Sequence, residues 1–575
     1  MPSIAAAPAR SRRSPSTARG RGILGLLAAA AAVLALTACG SLPTDGQVYQ
    51  GLPVVDSLTE PEFAFAPAGP QPGATPTEIV DGFLRAGTGA AGDWERAREF
   101  LAPSIRNTWN PDASVTVDLG ERVLVSPTES QVTADLVRVG TVDDTGAYSP
   151  DDETTTRLSF RLGQQDDGEW RITEAPDGVV LARNVFPRVF HRYSIMYFDP
   201  TWTYLVPDLR WFPSGNAPTR IAGALLDGSP SPWLAASVRT AAPEGVFLDP
   251  AAVPVSSGVA SVGLSSEAQA LDPETLGRIQ TQLDESLRTA NITSVQLSVA
   301  DRTLVPDAAA FRSTGVVSQA LVLTEDGFGL VTGGELAPLE DLSPVVVAAQ
   351  PIAIQVSADR DTAAALLPDG SVARLDPVRG VVPTDTRQGL VAPTVDPFGY
   401  IWSVPAGDPS QVQAVGPDDS VVAIADAFAG ATQVQAMSLS RDGTRLAASV
   451  NAGGRGEIWV AGVVRNADGV PERLGVSELL GTLPGPGTSL AWLDDATVGV
   501  LAAGPGGPTL TEQTVGGAQA TTDAPAGVAS IAGVNTPSTV RLHTSDGLVY
   551  TRRGAGWTQS LADVLVLATQ QGRPN

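Results

Sequence analysis

Apolar and polar positions along the chain change their period several times, and each change marks an element boundary. The run Ile23–Ala38 is almost wholly apolar, whereas 41–74 has no helical or strand period and is broken by Pro43, Pro53, Pro61, Pro67, Pro70 and Pro72. From Thr75 a helical period begins: Thr75, Pro76 and Glu78 form a capping box, and Ile79, Val80, Phe83 and Leu84 share one face. A second helix is predicted after Asp93, with Trp94, Ala97, Phe100 and Leu101 on one side. Two-residue alternation then predicts strands at Val115/Val117/Leu119, Val132/Ala134/Leu136, Leu158/Phe160/Leu162 and Trp170/Ile172. Helices first and an antiparallel sheet afterwards is an α+β order.

A second α+β unit starts near 191. Its predicted strands are Ser194–Phe198, Thr203–Val206 and Leu209–Phe212, followed by a helix through Ile221, Leu225 and Leu226 that stops at Gly228. After a strand at Val259–Leu264, Asp272 and Pro273 open the best-patterned helix of the chain, with Leu276, Ile279, Leu283 and Leu287 on one face. Ser294–Ala300 closes the unit as a strand.

Beyond Arg312 the pattern holds no convincing helix before the last few residues. Short apolar strands alternate with similar turns at Thr324–Gly327, Leu367–Gly370, Val395–Gly399, Ser440–Gly443 and Thr544–Gly547, and Asp-Gly at such tips predicts type I′ hairpins. The unit Ala436–Ala447 followed by Ile458–Val460 resembles one propeller blade. Asp326, Asp369, Asp442, Asp494 and Asp546 recur at a spacing compatible with about five or six blades.

Charge and composition change this picture at the N-terminus. Arg10, Arg12, Arg13, Arg19 and Arg21 precede the apolar run, and Leu36–Gly40 closes it at Cys39, the one cysteine of the chain. A basic segment, a run too short to span a bilayer and a small-residue cleavage site follow secretory order. The Leu-x-Ala-Cys pattern resembles a bacterial lipoprotein signal, so residues 1–38 are expected to be a signal peptide, and Cys39 is expected to carry S-diacylglycerol and N-palmitate. Residues 39–74 would be a tether, 75–190 and 191–304 the two α+β domains, and 305–575 the propeller. All charges before Cys39 are arginines, so the formal charge of −25 becomes more negative still once they are removed. Such a surface repels phosphate backbones, which argues against nucleic acid as a partner and leaves the lipid to hold the protein at the membrane.

The chain has no lysine and two histidines, His191 and His543. A Walker lysine, a Ser-x-x-Lys pair and a Schiff-base lysine are thereby ruled out, and no cofactor or metal set is predicted. His191 reads as packing at a domain junction and His543 as lying on a blade surface. Asp143–Asp144 and Asp151–Glu153 read as solvated hairpin tips rather than a calcium loop, and Gly453–Gly456 as a long hairpin loop. Trp402, Trp459, Trp492 and Trp557 read as blade core. Paired carboxylates of glycosidase type stay open, because their separation is not readable from sequence.

The order of lipobox, helix-led α+β domain, second α+β domain and propeller resembles the actinobacterial LpqB lipoprotein family. Within it, Tyr197–Asp199, Tyr204–Arg210, Leu225–Pro230 and the helix Leu276–Leu287 resemble a GerMN domain, although Ser229 stands where Gly-Pro is common. The resemblance implies two α+β domains, the first NTF2-like in element order and the second GerMN, then an all-β propeller. It further implies a non-enzymatic lipoprotein on the extracytoplasmic face of the cell membrane. The implied partner is the extracellular sensor domain of the histidine kinase MtrB, with effects on the MtrAB two-component system, envelope homeostasis, division and growth. A carbohydrate- or peptide-binding or processing propeller of the envelope is the alternative, for which carboxylates clustered at the propeller axis would be the discriminating feature.

Overall fold

The computed structural model describes residues 67–300 and 302–574. The expectations for the signal peptide, Cys39 and most of the tether lie outside the described residues.

In the first module, helix α1 (Pro76–Ala86) begins as its sequence dictates. Thr75 Oγ1 accepts the Glu78 amide while the Glu78 carboxylate accepts the Thr75 amide, and Ile79, Val80, Phe83 and Leu84 are buried. Helix α2 (Ala91–Arg98) departs from expectation: Gly92, Asp93 and Trp94 are left-handed, so the regular turn starts only after Trp94. That detour buries the Trp94 ring, whose indole nitrogen donates to Gly87 O at 3.2 Å. The strands β1 (Ser114–Thr128), β2 (Gln131–Asp143), β3 (Tyr148–Gln164), β4 (Trp170–Glu174) and β5 (Val179–Ala182) form one sheet in the order β4-β3-β2-β1-β5. Only β5 runs parallel to its neighbour. Leu119 does not continue the buried alternation of Val115 and Val117; it is exposed, because β1 shifts register between Val117 and Arg122. The buried Asp118 carboxylate holds this bulge by accepting Gly120 N and Arg122 Nε, at 3.1 and 2.6 Å.

A short helix α3 (Phe186–Val189) leads into β6 (Phe190–Phe198), which pairs along its whole length with β7 (Leu205–Pro213). The two strands expected at Thr203–Val206 and Leu209–Phe212 are therefore one. Pro207 sits within it without cost to the ladder, since only one edge of β7 is paired. The other edge of β6 meets the helix Pro273–Arg288, whose Ser286 hydroxyl accepts Met196 N at 2.8 Å while Gln282 Nε2 donates to Met196 O at 2.8 Å. Helix α4 (Ala217–Leu226) is followed by β8 (Val255–Ser256), β9 (Val259–Leu264), α5 (Pro273–Arg288), β10 (Ser294–Val299) and β11 (Arg302–Thr303). Helix α5 links the parallel pair β9 and β10 and buries Ile279, Leu283 and Leu287, with Asp272 capping it through Thr275 N at 2.9 Å.

From Ala320 the chain builds six four-stranded blades among the described residues. Blades two to six run in chain order and start at Ala353, Thr394, Gln433, Gly487 and Val528; blade four carries an extra strand, Glu478–Thr482. Blade one is composite. Ala320–Thr324, Gly327–Thr332 and Glu335–Pro338 form its outer strands, and its innermost strand is Val564–Gln570 from the chain terminus. Leu321 pairs with Ala568 and Leu323 with Val566, and the same terminal strand touches Gln355 and Val356 of blade two. The innermost strands succeed one another in a closed circuit, which makes this module a six-bladed β-propeller.

Three expectations for this region are corrected. The last residues are this closing strand, not a helix. A helix α6 (Ser343–Ala349) does occur between blades one and two, where the β-branched run Val345–Val347 reads as strand; burial of Val346 beside Phe328 overrides that propensity, and Ser343 Oγ ties the helix to Phe328 O at 2.7 Å. The Asp-Gly tips are not type I′ turns, because the glycines alone have positive φ (Gly370 83°, Gly443 72°, Gly547 87°). They are turns closed by the glycine N–H, as from Gly443 to Ser440 O at 2.9 Å, with the aspartate accepting a later amide, as Asp442 does from Thr444 N. They also fall on two different hairpins of a blade: Asp396 and Asp442 between first and second strands, Asp326, Asp369 and Asp546 between second and third. Their uneven spacing follows from that.

Candidate functional site

Ion pairs between arginine and aspartate hold the places where modules and blades meet. In β7, Asp208 and Arg210 point to one face, as residues two apart in a strand must. Their side chains are almost wholly buried and paired at 2.8 Å. Arg210 also donates to Thr145 Oγ1 of the first module at 2.6 Å and to Ser229 O at 3.1 Å, while Asp208 accepts the amide and hydroxyl of Ser231, each at 2.7 Å. Burial alone would lower the Arg210 pKa; Asp208 more than offsets it, and the guanidinium is held above its ordinary value. The neighbouring Trp211 donates to Gly516 O of blade five at 2.8 Å and packs on Phe186 with ring centroids 4.7 Å apart. One strand of the second module thus grips both other modules.

The second module approaches the propeller through backbone as well. A Cβ on Gly462 would lie 2.3 Å from Ser237 Oγ, and one on Gly475 would lie 3.0 Å from Trp233 O, so close approach requires glycine at both. The connection after β11 crosses the same propeller end. Arg312 pairs with Asp359 at 3.0 Å, and Val316 and Asn535 exchange two hydrogen bonds of 2.9 Å. Asp359 and Asn535 both lie between first and second strands of their blades, so this end is covered. The opposite end carries the turns Thr324–Gly327, Leu367–Gly370, Gly453–Gly454, Gly504–Gly507 and Thr544–Gly547. A Cβ on Gly370, Gly453, Gly454 or Gly507 would meet nothing within 4 Å, and this end bears the carboxylates of Asp326, Asp369 and Asp546. Gly453–Gly454 is a tight hairpin tip with both φ positive, rather than a long loop.

Inside the propeller, Asp396 accepts Trp402 Nε1 at 3.1 Å and Arg465 Nη2 at 2.6 Å, and Asp442 pairs with Arg445. Burial would raise the Asp442 carboxyl, but Arg445 and the hydroxyls of Thr444 and Ser440 outweigh it and hold the group below the usual carboxylate range. A depressed folded-state pKa stabilises the protein above the unfolded value of about 4 and is lost as pH falls below it. Acid unfolding followed by circular dichroism is therefore expected to show a steeper loss of stability below about pH 4 in the wild type than in Asp442→Asn.

Cys39 lies outside the described residues. The structure does not bring His191 and His543 together: His191 is half-buried on β6 opposite Phe212. His543 is not on a blade surface, since it is buried with Nε2 2.9 Å from Val564 O of the closing strand and Nδ1 3.4 Å from Ser530 Oγ. Trp402 and Trp492 are core, while Trp459 and Trp557 are half-buried and spend their indole N–H on Glu457 and on Asp523 O. Among the described residues no group of three or more His, Cys, Asp or Glu side chains could hold a metal ion, and no helix is long and apolar enough to cross a membrane, which says nothing of β-barrels.

A ring of blades closed by its own last strand and clamped to preceding α+β units defines a multimodule β-propeller protein. The first module matches the family described as "Lipoprotein LpqB, N-terminal domain" over residues 69–187, and the propeller matches "Lipoprotein LpqB beta-propeller domain" over residues 323–565. The chain belongs to the actinobacterial LpqB lipoprotein family, which implies a membrane-anchored lipoprotein. Relatives named Lipoprotein LpqB include that of Bifidobacterium longum, 28% identical over 77% of this chain and 78% of its own, and that of Streptomyces avermitilis, 26% identical over 94% and 97%. The one from Cutibacterium acnes is 32% identical over 45% of this chain and 43% of its own, so there the match spans under half of the relative. Among solved structures, TolB from Acinetobacter baumannii has a TM-score of 0.33 at 12% identity, covering 44% of this chain and 66% of TolB.

Proposed function

We propose that this chain is anchored through lipidated Cys39 on the extracytoplasmic face of the membrane, where it binds the extracellular sensor domain of MtrB and modulates MtrAB signalling. In this reading the first module is an NTF2-like domain and the second a GerMN domain, both acting as supports for the propeller. The observation that carries it is the family match at both ends of the described chain, supported by a propeller with one end covered and the other presenting carboxylates to solvent. The protein acts here by binding: the buried aspartates Asp396 and Asp442 are engaged by arginines, so neither offers a free carboxylate for general acid or base work.

Crosslinking in intact membranes followed by pull-down tests the partner: recovery of MtrB supports the reading, and its consistent absence beside recovered membrane controls overturns it. Binding guided by the acidic end is expected to weaken as salt shortens the Debye length from about 10 Å to about 3 Å. Cys39→Ser is expected to release the protein from the membrane or leave it unprocessed, because one thiol carries the anchor. Metabolic labelling with a clickable fatty acid checks this, and label retained on the variant would sink the assignment of Cys39.

A further inference from the structure

A cavity of about 210 Å³ opens where all three modules meet. Asp143 and Tyr148 of the first module, Asp208 and Trp233 of the second, and Glu478 and Gln513 of blades four and five stand on its wall, and no arginine does. Gln513 is 1% exposed; its Nε2 donates to Thr514 O and Gly517 O at 2.8 and 2.9 Å, which fixes the amide so that Oε1 is left as a buried acceptor with no donor. Glu478 has no counter-ion among the described residues, and burial pushes its carboxyl above the usual range. A half-buried carboxylate without a cation and a buried carbonyl without a donor both cost free energy that a bound donor would recover. Trp233 and Tyr148 add aromatic faces of the kind that attract cations.

We infer that this junction cavity binds a small organic cation, an alkylammonium or a guanidinium. The cation must come from outside, because the chain has no lysine and no arginine lines the wall. The volume is below the roughly 300–1,000 Å³ of sites for drug-sized ligands, which restricts the occupant to a single charged head and a short stem. Because the wall is shared, such a ligand would also tie the three modules to one another.

The test is calorimetric titration of the detergent-solubilised mature lipoprotein with n-butylammonium and with n-butylguanidinium, against n-butanol at matched ionic strength. Saturable uptake of either cation and none of the alcohol is expected. Glu478→Gln is expected to weaken uptake at least about tenfold while its ligand-free melting temperature stays that of the wild type. Glu478→Lys places an ammonium in the cavity and is expected to abolish uptake without lowering the melting temperature. Absence of saturable uptake of both cations would show that the cavity holds water only. Equal uptake of n-butanol, or undiminished affinity in Glu478→Gln, would overturn the inference as well. None of these outcomes bears on MtrB, so the two readings fail separately.

Discussion

Deletion of residues 564–575 is expected to abolish the cooperative melting transition of the propeller. The strand Val564–Gln570 buries Val564, Val566 and Leu567 and supplies the inner edge of blade one. At roughly 1.5–3 kcal/mol for each large apolar side chain, the lost burial alone is about 5–9 kcal/mol, before the lost strand pairing is counted. A domain of ordinary stability, about 5–15 kcal/mol, does not tolerate a loss of that size. Differential scanning calorimetry of the truncated chain should show the propeller transition missing, and a synthetic peptide of the deleted residues added in trans should restore part of it. An unchanged transition would mean that the ring does not depend on its terminal strand.

The second large effect is expected at β7. Replacing Arg210 by methionine leaves the Asp208 carboxylate buried without its cation, and breaking one side of such a pair costs about 3–5 kcal/mol. The first module also loses the tie from Arg210 to Thr145, so chemical denaturation should resolve a separate, earlier transition for it. The double variant Asp208→Asn/Arg210→Met, which removes both charges, is expected to recover much of the loss. Equal destabilisation in the single and double variants would show that packing, rather than an orphaned charge, dominates at this position.

How far these features were legible in the sequence depends on how local their causes are. The starts of α1 and α5 were readable because Thr75 with Glu78, and Asp272 with Pro273, satisfy helix ends from within four residues. Strand positions followed from alternation until a bulge intervened, and Leu119 was misplaced because the register shift at Asp118 has no signature in period two. Helix α6 was missed because its local preference is for strand and only its packing on Phe328 makes it a helix. Pro207–Asp208 read as a break between strands, whereas the charge is buried beside Arg210 on one face of a single strand. The junction cavity was not legible at all: Trp211 and Gly516, or Asp143 and Glu478, are brought together only by the fold. A charged pair two residues apart inside the otherwise apolar stretch Leu205–Phe212 was the one signal that could have drawn attention there.

The closing strand also sets an order in time. Ala320–Thr324 leaves the ribosome before the five blades that follow it, yet its inner partner, Val564–Gln570, emerges only after all of them. At roughly 5–20 residues per second, on the order of tens of seconds separate the two. Throughout that interval blade one offers an unpaired edge, a ready template for wrong partners. A chain whose synthesis stops before Val564 could fold its first two modules but never seal the ring, and would be left open to proteases. Arrival of Val564–Gln570 therefore marks the moment at which the ring can close.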